Sequence, residues 1–301
     1  MWFKNLQVFK LGKEFQIDPE QLNQQLAKLA FADCAASEMQ SQGWIAPRNN
    51  SEALAHCVNN QYLLCLATEK KLLPSSVINQ ATKMKAQQLE EQQGFPPGRK
   101  AMKELKERVT EELLPRAFAV RRVTQVWIDP VHHLVVVDAA NPNRADEVLK
   151  LLLKCVDRLP IENLRTKTSP QAAMTDWLAG DEAPKGFTID QDTELRSTSE
   201  EKATVRYVRH SIEPDDVKKH IANGKQCTKL ALTWDDKISF VLTDNLTIKR
   251  IKPLDILDEG REKGLAEDER LDADFALMTA ELAVLIDDVT FALGGEMVAP
   301  A

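Results

Sequence analysis

Lysines and arginines are the residues of this sequence that most clearly indicate a function, and many of them lie in one segment. Between Lys70 and Arg122 there are 12 basic and 6 acidic residues, although the whole chain has a formal net charge of −7. Lysine and arginine neutralise phosphate groups, and their segregation lets one surface meet a polyanion while other surfaces stay solvated. Several of these cations have an acidic residue four positions away, which is also typical of an exposed helix without any ligand. Arg116, Arg121 and Arg122 continue the positive charge beyond this helix without carboxylates that neutralise the excess, and they favour polyanion binding.

A second group of cations lies in the C-terminal half, among predicted short strands. Its members are Arg206, Arg209, Lys225, Lys229, Lys249, Arg250 and Lys252. The last 51 residues have the opposite sign, with 13 acidic and 4 basic residues. Phosphate neutralisation by such clusters gives binding that depends on salt and not on base sequence. Because only 6% of the residues are aromatic, stacking on single-stranded bases is disfavoured, and the backbone of duplex DNA is the expected partner.

Catalytic motifs are missing from the sequence, which has no GxGxxG, GxxxxGK[ST], GxSxG or HExxH pattern. The adjacent histidines His132 and His133 would point to opposite sides of a strand, so a solvated turn explains them better than a metal site. The acidic pairs Asp235-Asp236 and Asp287-Asp288 fit a hairpin turn and an acidic helix. We therefore predict that the protein is not an enzyme and uses no metal or cofactor.

Length and composition describe an ordinary globular protein, with 301 residues of which 43% are hydrophobic and 28% charged. No apolar run approaches the ~18 residues of a membrane helix, and the N-terminus lacks the layout of a signal peptide, so a cytoplasmic location is expected. The cysteines form an odd number without CxxC spacing, which predicts reduced thiols. They are Cys34, Cys57, Cys65, Cys155 and Cys227.

Hydrophobic periodicity predicts an α+β fold with mixed sheets, an inserted helical hairpin arm and a long C-terminal helix. Strands are predicted at 2–11, 61–67, 123–128, 134–137, 204–209, 228–233, 238–242 and 247–251. Helices are predicted from Asp18-Pro19 onward and at 144–159, 214–221 and 272–293. Three domains follow. A central α+β domain comprises 1–71 and 114–162, the arm comprises 72–113, and a C-terminal α+β region with a β-meander comprises 163–301, with a hinge in 162–186 where the pattern weakens.

The arm is predicted as two antiparallel helices separated by the breaker Gly94-Phe95-Pro96-Pro97-Gly98. The first helix begins near Pro74, and its predicted buried face is Val77, Ala81, Met84 and Gln88. The second runs from Arg99 to Leu113, with Met102, Leu105, Val109 and Leu113 on its stripe. The predicted ion pairs along it are Lys100–Glu104, Lys103–Glu107, Glu104–Arg108 and Arg108–Glu112. In the C-terminal helix, an apolar stripe of Phe275, Met278, Leu282, Leu285 and Val289 fits either the core or a subunit interface.

A series of short segments, in order along nearly the whole chain, carries a resemblance to a known family. The segments are Trp2-Phe3-Lys4-Asn5-Leu6, Leu113-Leu114-Pro115-Arg116-Ala117-Phe118, Trp127-Ile128-Asp129, Gly224-Lys225, Thr228-Lys229-Leu230-Ala231-Leu232 with Trp234, Asp272-Ala273-Asp274-Phe275, Leu277-Met278-Thr279 and Leu293-Gly294-Gly295-Glu296. They resemble the family of bacterial recombination-associated RdgC proteins.

The resemblance implies a homodimer closed into a ring, with duplex DNA bound without sequence preference in a positively charged hole. The family is associated with restraining RecA-driven recombination by occupying the DNA, so a nucleoid-associated location is expected. Phe118 aligns with a gate residue that docks in the partner subunit, and Arg209 and His210 align with a basic-plus-Gln pair beside it. His210 departs from that pattern, as 95–98 departs from the charged arm of the family. From the residues alone, core packing is the favoured interpretation of Phe118.

The favoured hypothesis is a ring-forming DNA-binding dimer without catalytic activity. Its predicted phosphate contacts are Lys71, Arg99, Lys100, Arg116, Arg121, Arg122, Lys225, Lys229, Lys249 and Arg250. Ring closure needs self-complementary apolar patches, for which the stripe of the C-terminal helix and the Phe118 region are candidates. Two alternatives stay open. One is an interaction module that binds the recombinase directly through its acidic C-terminal surface, and the other is a nuclease or phosphotransferase with scattered carboxylate ligands.

Overall fold

The computed structural model describes residues 2–199, 202–209, 214–257 and 266–297. Within these ranges the chain forms twelve β-strands and seven α-helices, which confirms the α+β class. The elements up to residue 163 are β1 (Asn5–Leu11), α1 (Pro19–Ala27), β2 (Gln40–Ile45), β3 (Ala55–Val58), β4 (Gln61–Lys71), α2 (Ser75–Gln93), α3 (Arg99–Leu113), β5 (Ala119–Asp129), β6 (Leu134–Asp138), α4 (Pro142–Cys155) and β7 (Ile161–Asn163). A 3-10 turn, Leu114–Arg116, separates α3 from β5.

The second half contains the predicted meander and the long helix. Its elements are α5 (Pro170–Gly180), β8 (Phe187–Ser197), β9 (Thr204–Tyr207), α6 (Pro214–Ala222), β10 (Lys225–Trp234), β11 (Ile238–Thr243), β12 (Ile248–Pro253) and α7 (Glu267–Ala292). The hinge predicted at 162–186 stays a prediction, and α5 lies within that range. Ser169 caps α5 by accepting a hydrogen bond from the N–H of Ala172, and Pro170 occupies its first turn.

One sheet runs through both halves of the chain, in the order β2-β4-β5-β6-β1-β12-β11-β10-β8-β9. In addition, β3 pairs with β4 and β7 pairs with β1. The halves join where β1 meets β12, with Asn5 opposite Lys249 and Leu6 opposite Ile248 in antiparallel register. The division into three domains stays a prediction, and the sheet continues across its boundary.

Helices cover different faces of the sheet in the two halves. On one face, α1 and α4 pack with strand residues such as Leu64 and Val126 in one apolar core. On the other face, α5, α6 and α7 pack with residues of both halves, among them Leu63, Trp127 and Leu232, in a second core. We call these the α1–α4 face and the α7 face. Among the described residues, no helix packs in the core of the α1–α4 face over β8 to β12.

Several strands are longer than predicted or were not predicted. β4 continues to Lys71 and β5 begins at Ala119, which adds a two-stranded ribbon below the arm. β2, β3, β7 and β8 lack the regular alternation of apolar and polar residues on which the prediction depended. β8, for example, has mostly half-exposed or exposed side chains, with three consecutive buried residues, 193–195. Such strands are stabilised by their neighbours and not by their own pattern.

Candidate nucleic-acid interface

The two helices of the arm pack against each other, and each buries one stripe. On α3 the buried residues belong to the predicted stripe. On α2 they are Ile78 and Thr82, so the predicted face is wrong, and Val77 and Met84 are 42% and 58% exposed. The Thr82 hydroxyl donates to the carbonyl oxygen of Ile78 (2.7 Å). That bond satisfies the hydroxyl and lets threonine take a place in an apolar contact.

One ion pair of the arm joins its two helices, and another lies along α3. Lys85 of α2 pairs with Glu112 of α3, and hydrogen bonding from Lys85 outweighs burial and lowers the pKa of Glu112. Of the four pairs predicted along α3, Lys103–Glu107 is present at 3.9 Å, and the other three are not formed within the described residues. The cations of α3 are therefore less neutralised along their own helix than the sequence pattern indicated.

The tip and the base of the arm carry exposed cations. Arg99 and Lys100 begin α3 and are exposed, next to Gly98, which has no side chain to cap the first N–H groups of the helix. Arg116, in the 3-10 turn after α3, is also exposed. Both ends of the arm can therefore present positive charge to an anionic ligand.

Lys71 does not fit its predicted role as a phosphate contact. Its side chain is buried, with 7% of the residue exposed. The ammonium group donates to the carbonyl oxygens of Ala36 (2.8 Å) and Leu114 (3.1 Å). A buried ammonium needs such partners, and these tie the end of β4 to the turn that follows α3. We therefore remove Lys71 from the set of phosphate-binding residues.

Neighbouring arginines on β5 point to opposite faces of the sheet. Arg121 forms ion pairs with Asp33 and with Glu69 (3.3 Å) and lies 4.4 Å above the ring of Phe31. Arg122 is exposed and has no ion pair within the part of the chain that the structure describes. The charge of Arg121 is largely neutralised, whereas that of Arg122 remains available for a ligand.

Phe118 lies at the base of the arm with 84% of its surface exposed. Its interpretation as a core residue is therefore wrong. Leu72 (55%) and Val120 (38%) of the arm base are also exposed, and Val123 (49%) is exposed on the opposite side of β5 from Val120. An exposed apolar patch of this kind is typical of a protein interface, and the role of Phe118 as a gate stays a prediction.

The stripe of the C-terminal helix belongs to the core of the chain itself. Phe275, Met278, Leu282 and Leu285 are fully buried, and Val289 is 3% exposed, in the core of the α7 face. The core interpretation of this stripe is confirmed. Its candidacy as a subunit interface is wrong, because α7 uses these side chains to cover the sheet.

Lys229 and Lys249 project from one face of the sheet. Lys229 lies opposite Thr243, and Lys249 lies opposite Val241. Thr243 and Val241 are two residues apart on β11, and strand side chains alternate between faces, so both lysines share a side. The intervening leucines, such as Leu230, point into the core of the α7 face. The two lysines therefore stand on the α1–α4 face, in the half without a covering helix.

The cations of the first half share this face through Arg122. Lys249 lies opposite Asn5, which alternates with Phe9 of the α1–α4 core. Arg122 alternates in the same way with Val126 of that core. Side chains from both basic clusters of the sequence therefore project on the same side of one sheet.

Glu194 of β8 is the centre of an ion-pair network on this face, although it is only 3% exposed. Its Oε2 accepts from Arg206 Nε (2.5 Å) and Lys229 Nζ (2.9 Å), and its Oε1 accepts from Thr228 Oγ1 (2.9 Å) and Arg196 Nη2 (3.1 Å). Burial raises the pKa of Glu194, but hydrogen bonds from Lys229, Thr228 and Arg206 together lower it to about 2. The carboxylate is therefore charged at neutral pH.

Two adjoining cavities of about 580 and 340 Å³ lie beside this network and share Asp192, Val241 and Arg250. Their charged linings are the cations Arg206, Arg209, Lys229, Lys249 and Arg250 and the carboxylates Asp190, Asp192 and Glu194. Asp192 accepts from the backbone N–H of Arg209 (2.9 Å) and lies 3.6 Å from Arg250 Nη1. Positive charge exceeds negative charge in this lining.

The remaining predicted residues lie nearby in sequence or outside the described ranges. Lys225 begins β10, and its ammonium lies 3.5 Å from Nδ1 of His220. Arg209 lines the larger cavity. His210 lies outside the described residues, so the pair predicted for the gate is described for its arginine alone.

Two residues of this face were missed as functional candidates. Glu194 is on β8, a strand that the sequence pattern did not predict, and Arg206 was noticed as a cation without a role. A signal that could have found Glu194 is the alternation of the charged residues Asp190, Asp192, Glu194 and Arg196, which is typical of one side of a strand.

Within the described residues, no group of three or more His, Cys, Asp or Glu side chains is placed to hold a metal ion. In the same part of the chain, no helix combines the length and apolar character needed to span a bilayer. His132, one of the adjacent histidines, lies in the β5–β6 turn with its Nδ1 2.6 Å from Asp129, and the turn interpretation is confirmed.

Comparison with known proteins agrees with the resemblance found in the sequence. A family model described as "Putative exonuclease, RdgC" matches residues 1–296. Curated relatives named "Recombination-associated protein RdgC" include one from Janthinobacterium sp. (strain Marseille), 60% identical over 298 residues, 99% of each chain. Others are from Herminiimonas arsenicoxydans, 60% identical with 98% of this chain and 99% of the relative covered, and Bordetella pertussis, 54% identical with the same coverage. The chain therefore belongs to the RdgC family of recombination-associated proteins.

Proposed function

We propose that this protein binds duplex DNA without sequence preference, that two copies close into a ring around the DNA, and that the bound ring restrains recombination by RecA. The family supports a role in recombination, because the curated relatives carry that word in their names. The distribution of charge supports the ligand. The phosphate backbone is the one feature of DNA that clusters of lysine and arginine bind regardless of sequence.

One observation carries the proposal: cations from both halves of the chain project on one side of a single sheet. Arg122 lies on β5 in the ribbon at the base of the arm. Lys229 of β10 and Lys249 and Arg250 of β12 lie in the meander, and all three line the smaller cavity. A continuous sheet fixes these side chains relative to each other, so a rod-shaped polyanion lying along that side would meet both clusters. We retain Arg99, Lys100, Arg116, Arg122 and Arg250, which are exposed, and Lys225, Lys229 and Lys249, which are half-buried, as proposed phosphate-binding residues. Arg121 is a weaker member because it pairs with two carboxylates and packs on Phe31.

Ring closure is supported by Phe118. A phenylalanine side chain that is 84% exposed gains roughly 1.5–3 kcal/mol when it is transferred from water into an apolar site. In a dimer with twofold symmetry, an isologous interface joins a patch on one subunit to the same patch on the other. A closed ring needs two separate interfaces around a hole, so each needs a self-complementary patch. We assign one interface to the arm base around Phe118. Arg209 follows β9, at the other end of the sheet from β5, so we infer that it meets Phe118 only across the contact between two subunits.

The proposal includes the absence of catalytic activity. Because the family description names an exonuclease, an assay for nuclease activity tests this part of the proposal directly. End-labelled duplex and single-stranded DNA would be incubated with the protein in Mg²⁺ and Mn²⁺. We expect full-length substrate at the end of the incubation. Shortened products that scale with protein concentration would assign the cations to a nuclease instead.

Salt dependence tests the DNA-binding part. Anisotropy of a labelled duplex of about 30 base pairs would be measured over a salt series for the native chain, for Arg122→Gln with Lys249→Gln, and for the control Arg270→Gln, an exposed cation on α7. The slope of log K against log salt should be steep for the native chain and should shrink by ~0.9 for each phosphate that the variant no longer neutralises. Equal slopes for the double variant and the control would overturn the assignment.

RecA restraint has its own readout in DNA strand exchange. The native chain should inhibit exchange at concentrations that cover the duplex, and the double variant should inhibit in proportion to its weaker binding. Full inhibition by a variant that no longer binds duplex would instead favour direct contact with the recombinase.

A further inference from the structure

The smaller of the two cavities, about 340 Å³, has the composition of an anion pocket. The cations in its lining are Arg206, Lys229, Lys249 and Arg250, and Glu194 and Asp192 are its carboxylates. Glu194 differs from an ordinary surface carboxylate because its side chain is 4% exposed while its cationic partners reach solvent. The buried carboxylate of Glu194 therefore fixes the charged groups of these more exposed cations through ion pairs.

The hydrogen bonds of Glu194 leave most donors of its partners free for a ligand. Its two oxygens accept four bonds, about as many as a carboxylate can accept. Arg206 uses its Nε, so its two terminal amino groups are not engaged with Glu194, and its side chain is 63% exposed. Lys229 uses one of three ammonium hydrogens, and its side chain is 42% exposed.

The charges of this pocket favour a bound anion. Its lining has four cations and two carboxylates, and Arg206 and Lys229 both pair with Glu194. Lys249 lines the same pocket and has no ion pair within the described residues. Arginine's fork of donors and lysine's ammonium group are the side chains that bind phosphate oxygens. A pocket with fixed cations loses less side-chain freedom when it binds than a set of freely moving ones.

We propose that this pocket binds a single phosphate group, a phosphodiester of the duplex backbone, and that Glu194 is the residue that positions its cations. The inference rests on the proposed DNA binding and adds a defined subsite to it. Arg206 and Lys249 contact the phosphate oxygens directly. Glu194 does not contact the ligand, and it acts through Arg206 and Lys229.

Glu194→Gln gives a test in which simple electrostatics and positioning predict opposite signs. The substitution makes the chain more positive by one charge, so charge alone predicts tighter DNA binding. Positioning predicts weaker binding, by about tenfold, because two cations lose their fixed geometry. Duplex affinity would be measured by anisotropy at constant salt. Binding that is unchanged or tighter would overturn the role of Glu194.

A double-mutant cycle separates positioning from a general loss of structure. Arg206→Gln should weaken duplex binding in the native background and have a much smaller effect when Glu194→Gln is already present, because the residues act as a unit. Lys249→Gln should lower the salt slope by ~0.9, and Arg270→Gln should leave it unchanged. Additive effects of Arg206→Gln and Glu194→Gln would contradict the proposal. Far-ultraviolet circular dichroism of each variant confirms that it is folded.

A free phosphate-bearing small molecule could supply the same chemistry, and competition distinguishes it. We expect inorganic phosphate, replacing chloride at equal ionic strength, to displace the duplex no more than chloride does. Displacement by phosphate at millimolar concentration would overturn the assignment to a polynucleotide. If the native chain fails to bind duplex at all, the proposed function fails. If the native chain binds with a steep salt slope and all three pocket variants match it, the pocket alone fails.

Discussion

The backbone N–H of Leu72 donates a hydrogen bond to the carbonyl oxygen of Phe118 across 2.7 Å. This bond is the last one between the strands that enter and leave the arm, one step beyond the pair Lys71 and Ala119. It fixes the backbone of Phe118 at the arm base while the phenyl ring stays 84% exposed. The sheet thus holds an apolar side chain in a defined place outside the core, which is what docking between subunits requires.

Phe118→Ser should loosen self-association without unfolding the chain. The ring is exposed, so the free energy of unfolding of the subunit should change by less than ~0.5 kcal/mol, whereas removal of an aromatic anchor from the interface should weaken the dimer by about 2 kcal/mol. Sedimentation velocity over a dilution series measures the effect. Phe291→Ser is the control, since Phe291 is 80% exposed on α7. If the control dissociates the dimer as much as Phe118→Ser, the interface is not at the arm base.

Lys71→Met should cost stability and leave DNA binding nearly intact. The buried carbonyl oxygen of Leu114 and the part-buried one of Ala36 would lose their donor, at a cost of about 1–3 kcal/mol. Chemical unfolding in urea measures the loss. Lys70→Met, at the exposed neighbouring position, removes the same charge without a buried partner and should be close to neutral. A large drop in DNA affinity for Lys71→Met in a folded chain would return this lysine to the phosphate-binding residues.

Arg121→Gln and Arg122→Gln should separate stability from binding on one strand. Arg121 is tied to Asp33 and Glu69 and packs on Phe31, so its loss should lower the unfolding free energy by about 1 kcal/mol. Arg122 lies on the other face, so Arg122→Gln should instead lower the slope of log K against log salt for DNA binding by ~0.9. Paired melting and anisotropy measurements would show the contrast. The same slope change for both variants would contradict it.

The ion pairs of Glu194 should make stability fall in acid. Its pKa is lowered from 4.5 to about 2 in the folded chain, so its contribution is present above about pH 4.5 and is lost as the pH falls toward 2. The shift corresponds to about 3 kcal/mol. Urea unfolding of the native chain and of Glu194→Gln should differ most near pH 7 and converge near pH 2. A difference that does not change with pH would show that the carboxylate charge is not what stabilises the network.

Elements whose own residues repeat with a clear period could be predicted from the sequence. The stripe of α7 and the cap of α1, where Asp18 accepts a hydrogen bond from the N–H of Gln21 and Pro19 occupies the first turn, are examples in which local chemistry and the final fold agree. The meander of β10, β11 and β12 is another, because its buried leucines alternate with polar residues. In each case the residues that define the pattern also define the packing.

Other features depend on tertiary packing that the sequence does not reveal. On α2, apolar residues occur on two faces, and the position of α3 decides that Ile78 and not Val77 is buried. The sequence predicts Lys71 to be a surface cation. It can be buried because its ammonium group donates to backbone carbonyl oxygens of Ala36 and Leu114, which are distant in sequence. The network around Glu194 could not be predicted, because three of its partners, Arg206, Thr228 and Lys229, come from β9 and β10, which pair with β8 only in the folded sheet. The sequence therefore predicts which segments of the candidate site are positively charged, but not which side chains pair with each other or are buried.

The most direct test of a ring around DNA compares closed circular with linear duplex. The protein would be bound to a covalently closed plasmid immobilised on beads, challenged with high salt to break its ion pairs with phosphate, and counted before and after a restriction enzyme opens the circle. A closed dimer predicts a fraction that survives the salt wash on the circle and is released when the DNA is cut. Equal release from circular and linear DNA in the salt wash would contradict encirclement and leave a surface-bound cationic protein.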